Sequence, residues 1–195
     1  MSGGGVLLVG AGGHAKAIVE ALGEDMIAAY VDGKVVLWLK AEHIDGDEIA
    51  LRSPQPAAFV MGLGGVSPRA LKHRFSLFER YLASGRTAPA VRHATAIVSP
   101  SARIEAGAII LAGAIIQPDA VVGRAAIVNT GAIVEHDSHV GAGCHIAPGA
   151  VVLGGVKIGR CAMVGAGAVV LPQCEIGDAR LIPANELHPP KADLQ

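Results

Sequence analysis

Three histidines lie within a ten-residue stretch of the chain, at His136, His139 and His145. Two carboxylic acids, Glu135 and Asp137, flank the first of them. An imidazole can accept a proton near neutral pH, so His136 is a candidate general base. Either flanking carboxylate can stabilise the imidazolium, and the spacing leaves open which one does. The competing interpretation is a solvated surface histidine.

The stretch lies inside a regular repeat. Every sixth residue from Val98 to Ile182 is Val or Ile, at fifteen positions without a slip in register. A second series, four residues after each branched residue, is mostly Ala and includes Ser138 and Cys144. A period of six is neither helical nor a simple strand alternation. It predicts a parallel β-helix over residues 98–182, with three short faces per eighteen-residue coil and branched side chains inside.

In this register, His136 and Asp137 occupy the third and fourth places of their hexapeptide, which predicts that both face outwards. Cys144 belongs to the inward series of small residues, so we interpret it as a core residue and not as a nucleophile. The three cysteines show no CxxC spacing and are typical of reduced thiols in a cytosolic protein.

The N-terminal part has a different pattern, which indicates a small α/β module. A buried strand is predicted over residues 5–9, followed by a helix that runs to Leu22. Gly10, Gly12 and Ala15 form the spacing G-x-G-x-x-A between them. This arrangement brings backbone N–H groups and a helix N-terminus close to a phosphate. Asp32, after a second strand over about 26–31, stands where a ribose-binding carboxylate falls.

A further strand is predicted over 59–63, and a helix over about 69–83. Only 97 residues precede the predicted β-helix, too few for a complete dinucleotide domain. The segment therefore predicts a pocket for one nucleotide, with a purely structural β–turn–α unit as the alternative. A glycine fingerprint by itself is a weak signal.

Composition excludes some functions. The formal net charge is −1, which gives no reason to expect nucleic acid or an anionic membrane surface as a partner. We expect no membrane span, because no stretch of 18 apolar residues is present, and we expect no signal peptide. The expected location is cytoplasmic.

The two halves together resemble one family, the bacterial hexapeptide-repeat sugar acetyltransferases. These enzymes acetylate nucleotide-linked 4-amino sugars or sialic acid. The resemblance rests on VGAGGHAK near the start, MGLGGVSPR in the middle, VRHATAIVSPSARI at the entrance to the prism and NTGAIVEHDSHVGAGCHIAPGAVVLGGVKIG within it. It implies a left-handed β-helix, a homotrimer with active sites between neighbouring prisms, and acetyl-CoA as co-substrate without a metal.

The resemblance also implies residue roles. His136 matches the catalytic base and Asp137 its partner, while His145 matches the histidine near the acetyl thioester. Gly154 and Gly155 match backbone that approaches the pantetheine arm of coenzyme A. The residues that match the nucleotide-sugar pocket are Gly10, Gly12, Gly13, His14, Asp32, Gly64 and Arg69.

We therefore expect a nucleotide-sugar-binding domain over residues 1–90, a β-helix acetyltransferase domain over 91–183 and a tail over 184–195. The leading hypothesis is N-acetylation of a nucleotide-linked 4-amino sugar in bacterial surface-glycan synthesis, with UDP and GDP both open. Sialic acid O-acetylation is the runner-up, although free sialic acid has no need of a nucleotide pocket. A degenerate binding or assembly protein is a third hypothesis, because the repeat ends early.

Zinc-dependent hydratases on the same type of prism provide a fourth hypothesis. Their three histidine ligands include two that are close together and one about two coils away. His136, His139 and His145 do not reproduce that separation, so we expect no metal site.

Overall fold

The computed structural model describes residues 5–188, which form an N-terminal α/β module and a three-sided prism of parallel strands. Residues 1–4 and 189–195 lie outside the described part, and so does most of the tail expected over 184–195.

The module is a four-stranded parallel sheet in the order β3-β2-β1-β4 with three helices. Its elements are β1 (Val6–Val9), α1 (Gly13–Leu22), a 3-10 helix (Glu24–Met26), β2 (Ile27–Val31), β3 (Glu42–Ile44), α2 (Asp47–Arg52), β4 (Phe59–Met61) and α3 (Pro68–Ala83). The strands and long helices expected from the sequence are present. β3 and α2 lie in a region where the sequence pattern predicted no element.

Helix α3 begins with a capping serine and a proline, and its buried face contains both apolar and charged residues. The Ser67 side chain caps its N-terminus by accepting a hydrogen bond from the Ala70 N–H at 3.3 Å, and Pro68 occupies the first turn. The buried face carries aromatic residues together with one arginine, Arg74.

Seventeen two-residue strands form the prism: β5 (Val91–Arg92), β6 (Ile97–Val98), β7 (Arg103–Ile104), β8 (Ile109–Ile110), β9 (Ile115–Ile116), β10 (Val121–Val122), β11 (Ile127–Val128), β12 (Ile133–Val134), β13 (His139–Val140), β14 (His145–Ile146), β15 (Val151–Val152), β16 (Lys157–Ile158), β17 (Met163–Val164), β18 (Val169–Val170), β19 (Glu175–Ile176), β20 (Leu181–Ile182) and β21 (Leu187–His188).

Each strand pairs in parallel with the strands one coil before and after it, which produces three faces. Face 1 has the order β20-β17-β14-β11-β8-β5, face 2 has the order β21-β18-β15-β12-β9-β6, and face 3 has the order β19-β16-β13-β10-β7. The strand register places residues eighteen apart directly over one another, as in Val134 over Val152. This arrangement confirms the predicted parallel β-helix.

The inward positions form one continuous apolar core inside the prism. Full burial of a Val or Ile side chain contributes roughly 1.5–3 kcal/mol, so the stacked branched residues dominate the stability of the prism. The prism continues beyond the predicted boundary at residue 183, because β21 pairs with β18 at 187–188. His188 takes the inward position in β21, as Arg92 does in β5. Because neither residue is Val or Ile, the sequence repeat did not reveal the first and last strands of the described prism.

The module packs on face 1 and on the corner between faces 3 and 1. Ile18 of α1 shares a core cluster with Ile109 and Ile127 of face 1. On the corner, Phe78 of α3 lies against Gly107, where a Cβ atom would overlap its ring. The module and prism therefore share buried apolar contacts.

We expect Ile116→Ala to destabilise the protein by about 2–5 kcal/mol, because it removes atoms from an inward ladder with no exposed neighbour. Ile116 is only 1% exposed. Chemical denaturation measures the loss. Leu37→Ala is the control, because Leu37 is 97% exposed, and we expect a change within about 0.5 kcal/mol. Equal losses would contradict the stacked core.

Candidate functional site

His136 and Asp137 form an exposed hydrogen-bonded pair on the corner between faces 2 and 3. The His136 Nδ1 atom lies 2.8 Å from the Asp137 Oδ2 atom, and both side chains are more than 60% exposed. Asp137 adopts a left-handed backbone conformation with φ of 59°, which aspartate tolerates in turns. The hydrogen bond to Asp137 raises the pKa of His136. Asp137 is therefore the flanking carboxylate that contacts the imidazole.

The turn of the next coil lies directly under the His136 ring. A Cβ atom on Gly154 would stand 2.7 Å from both the Cε1 and Nε2 atoms of His136, so a larger residue there would displace the imidazole from this position. The Gly155 N–H donates a hydrogen bond to the His136 carbonyl oxygen at 3.0 Å. Gly154 and Gly155 therefore support the histidine in this structure.

His145 is buried where the module meets face 1. Its Nδ1 atom donates to the Gly65 carbonyl oxygen at 2.7 Å, and its Nε2 atom lies 3.0 Å from the Asn129 amide nitrogen. Burial lowers the pKa of His145, and the Arg74 cation lowers it further against the effect of the Gly65 hydrogen bond. His145 is therefore a neutral ring, with its Nε2 lone pair occupied by the Asn129 amide.

His14 lies beside it, at the start of α1. Burial, the Arg74 cation and His145 lower the pKa of His14 to about 4. Its Nε2 atom is buried and has no hydrogen-bond partner among the described residues. Gly64 packs against the ring, since a Cβ atom there would stand 3.3 Å from the His14 Cγ atom.

These residues line a cavity of about 640 Å³ between the module and the prism. Most of the lining is apolar, and its polar side chains are those of His14, Asn129 and His145. The lining residues are His14, Gly64, Gly65, Val66, Asn129, His145, Ala147, Pro148, Met163, Gly165, Ala166, Leu181, Pro183 and Ala184. His136 is not among them, because it stands on the far side of face 2.

Arg74 is a residue that the sequence analysis missed. It is 1% exposed, its Nε atom donates to the Leu63 carbonyl oxygen at 2.7 Å, and another of its nitrogens donates to the Ala125 carbonyl oxygen. One acceptor belongs to the module and the other to the prism, so Arg74 joins them. The sequence could have indicated it, because Arg74 falls among the apolar residues that form the buried face of α3.

The predicted nucleotide loop lies at the carboxyl edge of the module sheet. Gly10 follows β1, Asp32 follows β2 and Gly64 follows β4, so the elements bring these residues to one edge. The Asp32 carboxylate accepts hydrogen bonds from the Ala11 N–H at 2.9 Å and the Lys34 N–H at 3.2 Å. Asp32 therefore holds the glycine loop in shape within this structure.

The remaining predicted residues of this pocket flank the same loop. Gly12 is the N-cap of α1 and Gly13 its first residue, and a Cβ atom on either would meet no neighbour within 4 Å. Arg69 is exposed in the first turn of α3. The Trp38 indole N–H donates to the Ala11 carbonyl oxygen at 3.2 Å, so the segment after Asp32 contacts the glycine loop.

Neither a metal cluster nor a membrane helix is found between residues 5 and 188. No three His, Cys, Asp or Glu side chains come close enough to hold a metal ion in that range. No helix in the same range has the length and apolar character needed to cross a bilayer.

Solved structures with the same architecture identify the family. PerB from Caulobacter crescentus, in complex with CoA and GDP-perosamine, is 33% identical, with a TM-score of 0.84 over 96% of this chain and 92% of that one. A histidine-to-asparagine variant of perosamine N-acetyltransferase from the same organism is 32% identical, with a TM-score of 0.83 over 96% and 91%. The chain belongs to the hexapeptide-repeat sugar acetyltransferases.

A third solved structure supports the assignment of this chain to the acetyltransferase family. The acetyltransferase domain of PglB from Neisseria gonorrhoeae, in complex with acetyl coenzyme A, is 28% identical, with a TM-score of 0.84 over 96% of this chain and 93% of that one. No protein-family model and no curated protein sequence matches the chain.

We expect Arg74→Met to destabilise the acetyltransferase by about 2–5 kcal/mol, because it leaves the partly buried Leu63 carbonyl and the buried Ala125 carbonyl without their donor. Urea denaturation measures the loss. Lys72→Met on the exposed side of the same helix is the control, with an expected change within about 0.5 kcal/mol. Wild-type stability in the Arg74 variant would show that this residue does not join the two parts.

Proposed function

We propose that this enzyme transfers the acetyl group of acetyl-CoA to the amino group of a nucleotide-linked 4-amino sugar, with His136 as the general base. The observation that carries the proposal is the His136–Asp137 pair on an exposed corner of a prism whose relatives bind CoA and GDP-perosamine. The expected setting is bacterial surface-glycan synthesis in the cytoplasm.

The tautomer of His136 suits a base. A carboxylate only accepts hydrogen bonds, so the proton of the neutral ring is on Nδ1, where it is donated to Asp137. The Nε2 atom keeps its lone pair and has no hydrogen-bond partner within residues 5–188. It takes a proton from the sugar amine as the amine nitrogen bonds to the acetyl carbon. The carbon–sulfur bond then breaks, and the thiolate of CoA leaves and receives a proton.

The direction of the pKa shift sets the pH dependence. Only the neutral form of His136 accepts a proton, so activity rises with pH through the pKa of His136. Because the bond to Asp137 raises that pKa above 6.5, the acid limb of the pH profile lies above this value. Loss of the carboxylate moves the limb to lower pH.

The cavity beside His145 suits the acyl end of acetyl-CoA. Its histidines are held neutral by burial, so it presents no fixed cation or anion to an uncharged thioester. Gly154 and Gly155 remain the proposed backbone contacts of the pantetheine arm. At the module, Gly10, Gly12 and Gly13 supply the open loop for the sugar nucleotide, and Asp32, Gly64 and Arg69 complete the proposed pocket.

One chain does not bring the two parts of this site together. His136 lies on the corner between faces 2 and 3, whereas the cavity of His145 opens on face 1 and the corner between faces 1 and 2. The whole of face 2 separates them. A neighbouring prism that packs on face 2 would bring its own base to this cavity.

The outward residues of face 2 fit such a neighbour. All six are aliphatic, namely Ile97, Ile115, Ile133, Val151, Val169 and Leu187. Two of them, Ile97 and Leu187, are each 63% exposed in the single chain. Four of the five outward residues of face 3 are polar, namely Arg103, His139, Lys157 and Glu175. We infer that face 2 is buried against a second copy in a homotrimer with active sites between chains.

We expect thiol release from acetyl-CoA with one sugar of a panel of GDP- and UDP-linked 4-amino sugars. His136→Ala should lower the rate about 10²–10⁴-fold, because general-base assistance is lost. Asp137→Asn should retain part of the activity and shift the acid limb to lower pH. A spectrophotometric thiol assay measures both effects.

His139→Ala is the matched control, because His139 lies on face 3 of the same coil and is exposed. Its rate should equal that of the wild type. Undiminished activity in His136→Ala would rule out the base. Turnover of free sialic acid, with no nucleotide-linked sugar accepted, would replace the proposed reaction by O-acetylation.

A mixing experiment tests whether the active site lies between chains. We expect His136→Ala and His145→Ala to be impaired separately and to recover part of the activity when co-expressed. In mixed assemblies, an intact His136 of one chain meets an intact His145 of its neighbour. Co-expression of two chains that both carry His136→Ala is the control. Absence of recovery in verified mixed assemblies would place each site within one chain.

A further inference from the structure

Ser138 is a buried hydroxyl in a series of inward positions that is otherwise mostly alanine. It is 1% exposed. Its Oγ atom donates to the Leu153 carbonyl oxygen at 2.8 Å and accepts from the Val156 N–H at 3.2 Å. The same atom lies 3.5 Å from the His136 carbonyl oxygen. One hydroxyl thus connects the turn that carries His136 with the turn below it.

These contacts replace an ordinary turn hydrogen bond. In most corners the fourth residue of the turn donates to the carbonyl three residues before it, as Ala150 does to Ala147 at 3.1 Å. At Leu153–Val156 the carbonyl and the N–H are joined instead through the Ser138 hydroxyl. The side chain is therefore inserted into the turn from the inside of the prism.

The same turn supports His136 from outside. Gly154, between the two bridged ends, is the residue on which the imidazole ring rests. Because the ring contacts Gly154, the position of Gly154 limits where the ring can lie relative to Asp137, and Ser138 bonds to both ends of the segment that carries Gly154.

We propose that Ser138 is a positioning residue for the acetyl transfer. Its hydroxyl holds the Leu153–Val156 turn open, so that Gly154 supports the His136 ring in line with Asp137, and it acts without touching substrate. The proposal rests on the proposed role of His136 as base.

Cys144 provides a matched control within the same fold. It occupies the same inward series one hexapeptide later, is fully buried, and its Sγ atom lies 2.8 Å from the Gly159 carbonyl oxygen in the next coil. That contact is on the corner between faces 3 and 1, away from His136. Ser138→Ala and Cys144→Ala each remove one buried polar atom that contacts a turn of the next coil.

The test compares the two variants as full-length protein. Alanine occupies the equivalent places one coil earlier, Ala120 for Ser138 and Ala126 for Cys144, so both variants should fold. We expect Ser138→Ala to lower kcat about 10-fold or more through misplacement of the base, and Cys144→Ala to stay within about 2-fold of wild type. Ser138→Cys should restore most of the loss, because a thiol makes the corresponding contact at Cys144.

An NMR titration of His136 makes the test independent of turnover. Asp137 and Glu135 are the charged groups that act on the ring, and the pKa of His136 reports its bond to Asp137. In Ser138→Ala that pKa should fall towards 6.5, while Cys144→Ala leaves it unchanged. This shift would persist even if the ring proved not to be the base, so the two proposals fail separately.

Three results would overturn the proposal. The first is an unchanged His136 titration together with an unchanged kcat in Ser138→Ala. The second is an equal loss of kcat in Ser138→Ala and Cys144→Ala that follows their loss of stability. The third is a loss in Ser138→Ala that Ser138→Cys does not restore.

Discussion

The prism depends on the stacking of equivalent backbone positions one coil apart. Neighbouring strands in a sheet are about 4.7–4.9 Å apart. A side chain on a corner therefore contacts the residues of the coils directly above and below it. The His136 ring lies against Gly154 of the next coil, where a Cβ atom would stand 2.7 Å from the ring. The place of the proposed base therefore depends on residues in two coils that are eighteen positions apart in the sequence.

The contact between module and prism uses a different kind of interaction. Burial of an arginine is costly unless its donors find acceptors, and replacement by an apolar residue is often neutral elsewhere. Here two nitrogens of Arg74 donate to backbone carbonyl groups, one on each side, while its third nitrogen has no partner among the described residues. Its charge also lowers the pKa of His14 and of His145. The same side chain thus combines a mechanical connection with an electrostatic effect on the cavity.

The sequence predicted the elements whose residues repeat. Fifteen equally spaced branched residues leave little alternative to a parallel β-helix, and the strand–glycine–helix pattern located the first unit of the module. Short elements such as β3 (Glu42–Ile44) carry too few residues for a periodic signal. Asp32 also has a structural role that its spacing did not predict, because its carboxylate accepts hydrogen bonds from the backbone N–H groups of Ala11 and Lys34.

Separation in the sequence did not predict which of the candidate site residues lie close together in the structure. His136 and His145 are nine residues apart, which is one and a half hexapeptides, so one stands on a corner and the other on a face. Contacts such as that between Arg74 and Ala125 join residues 51 positions apart, and no local pattern encodes them.

The two ends of the described prism have a consequence for how such molecules behave in concentrated solution. A β-helix exposes unpaired backbone N–H and C=O groups at each end, and flat open strand edges invite end-to-end polymerisation. In the first and last strands, Arg92 and His188 replace the branched aliphatic residue at the inward position. A prism that stacked on such an end would bury a charged or polar side chain in a dry core. We therefore expect these two residues to disfavour end-to-end growth of the described coils into fibres.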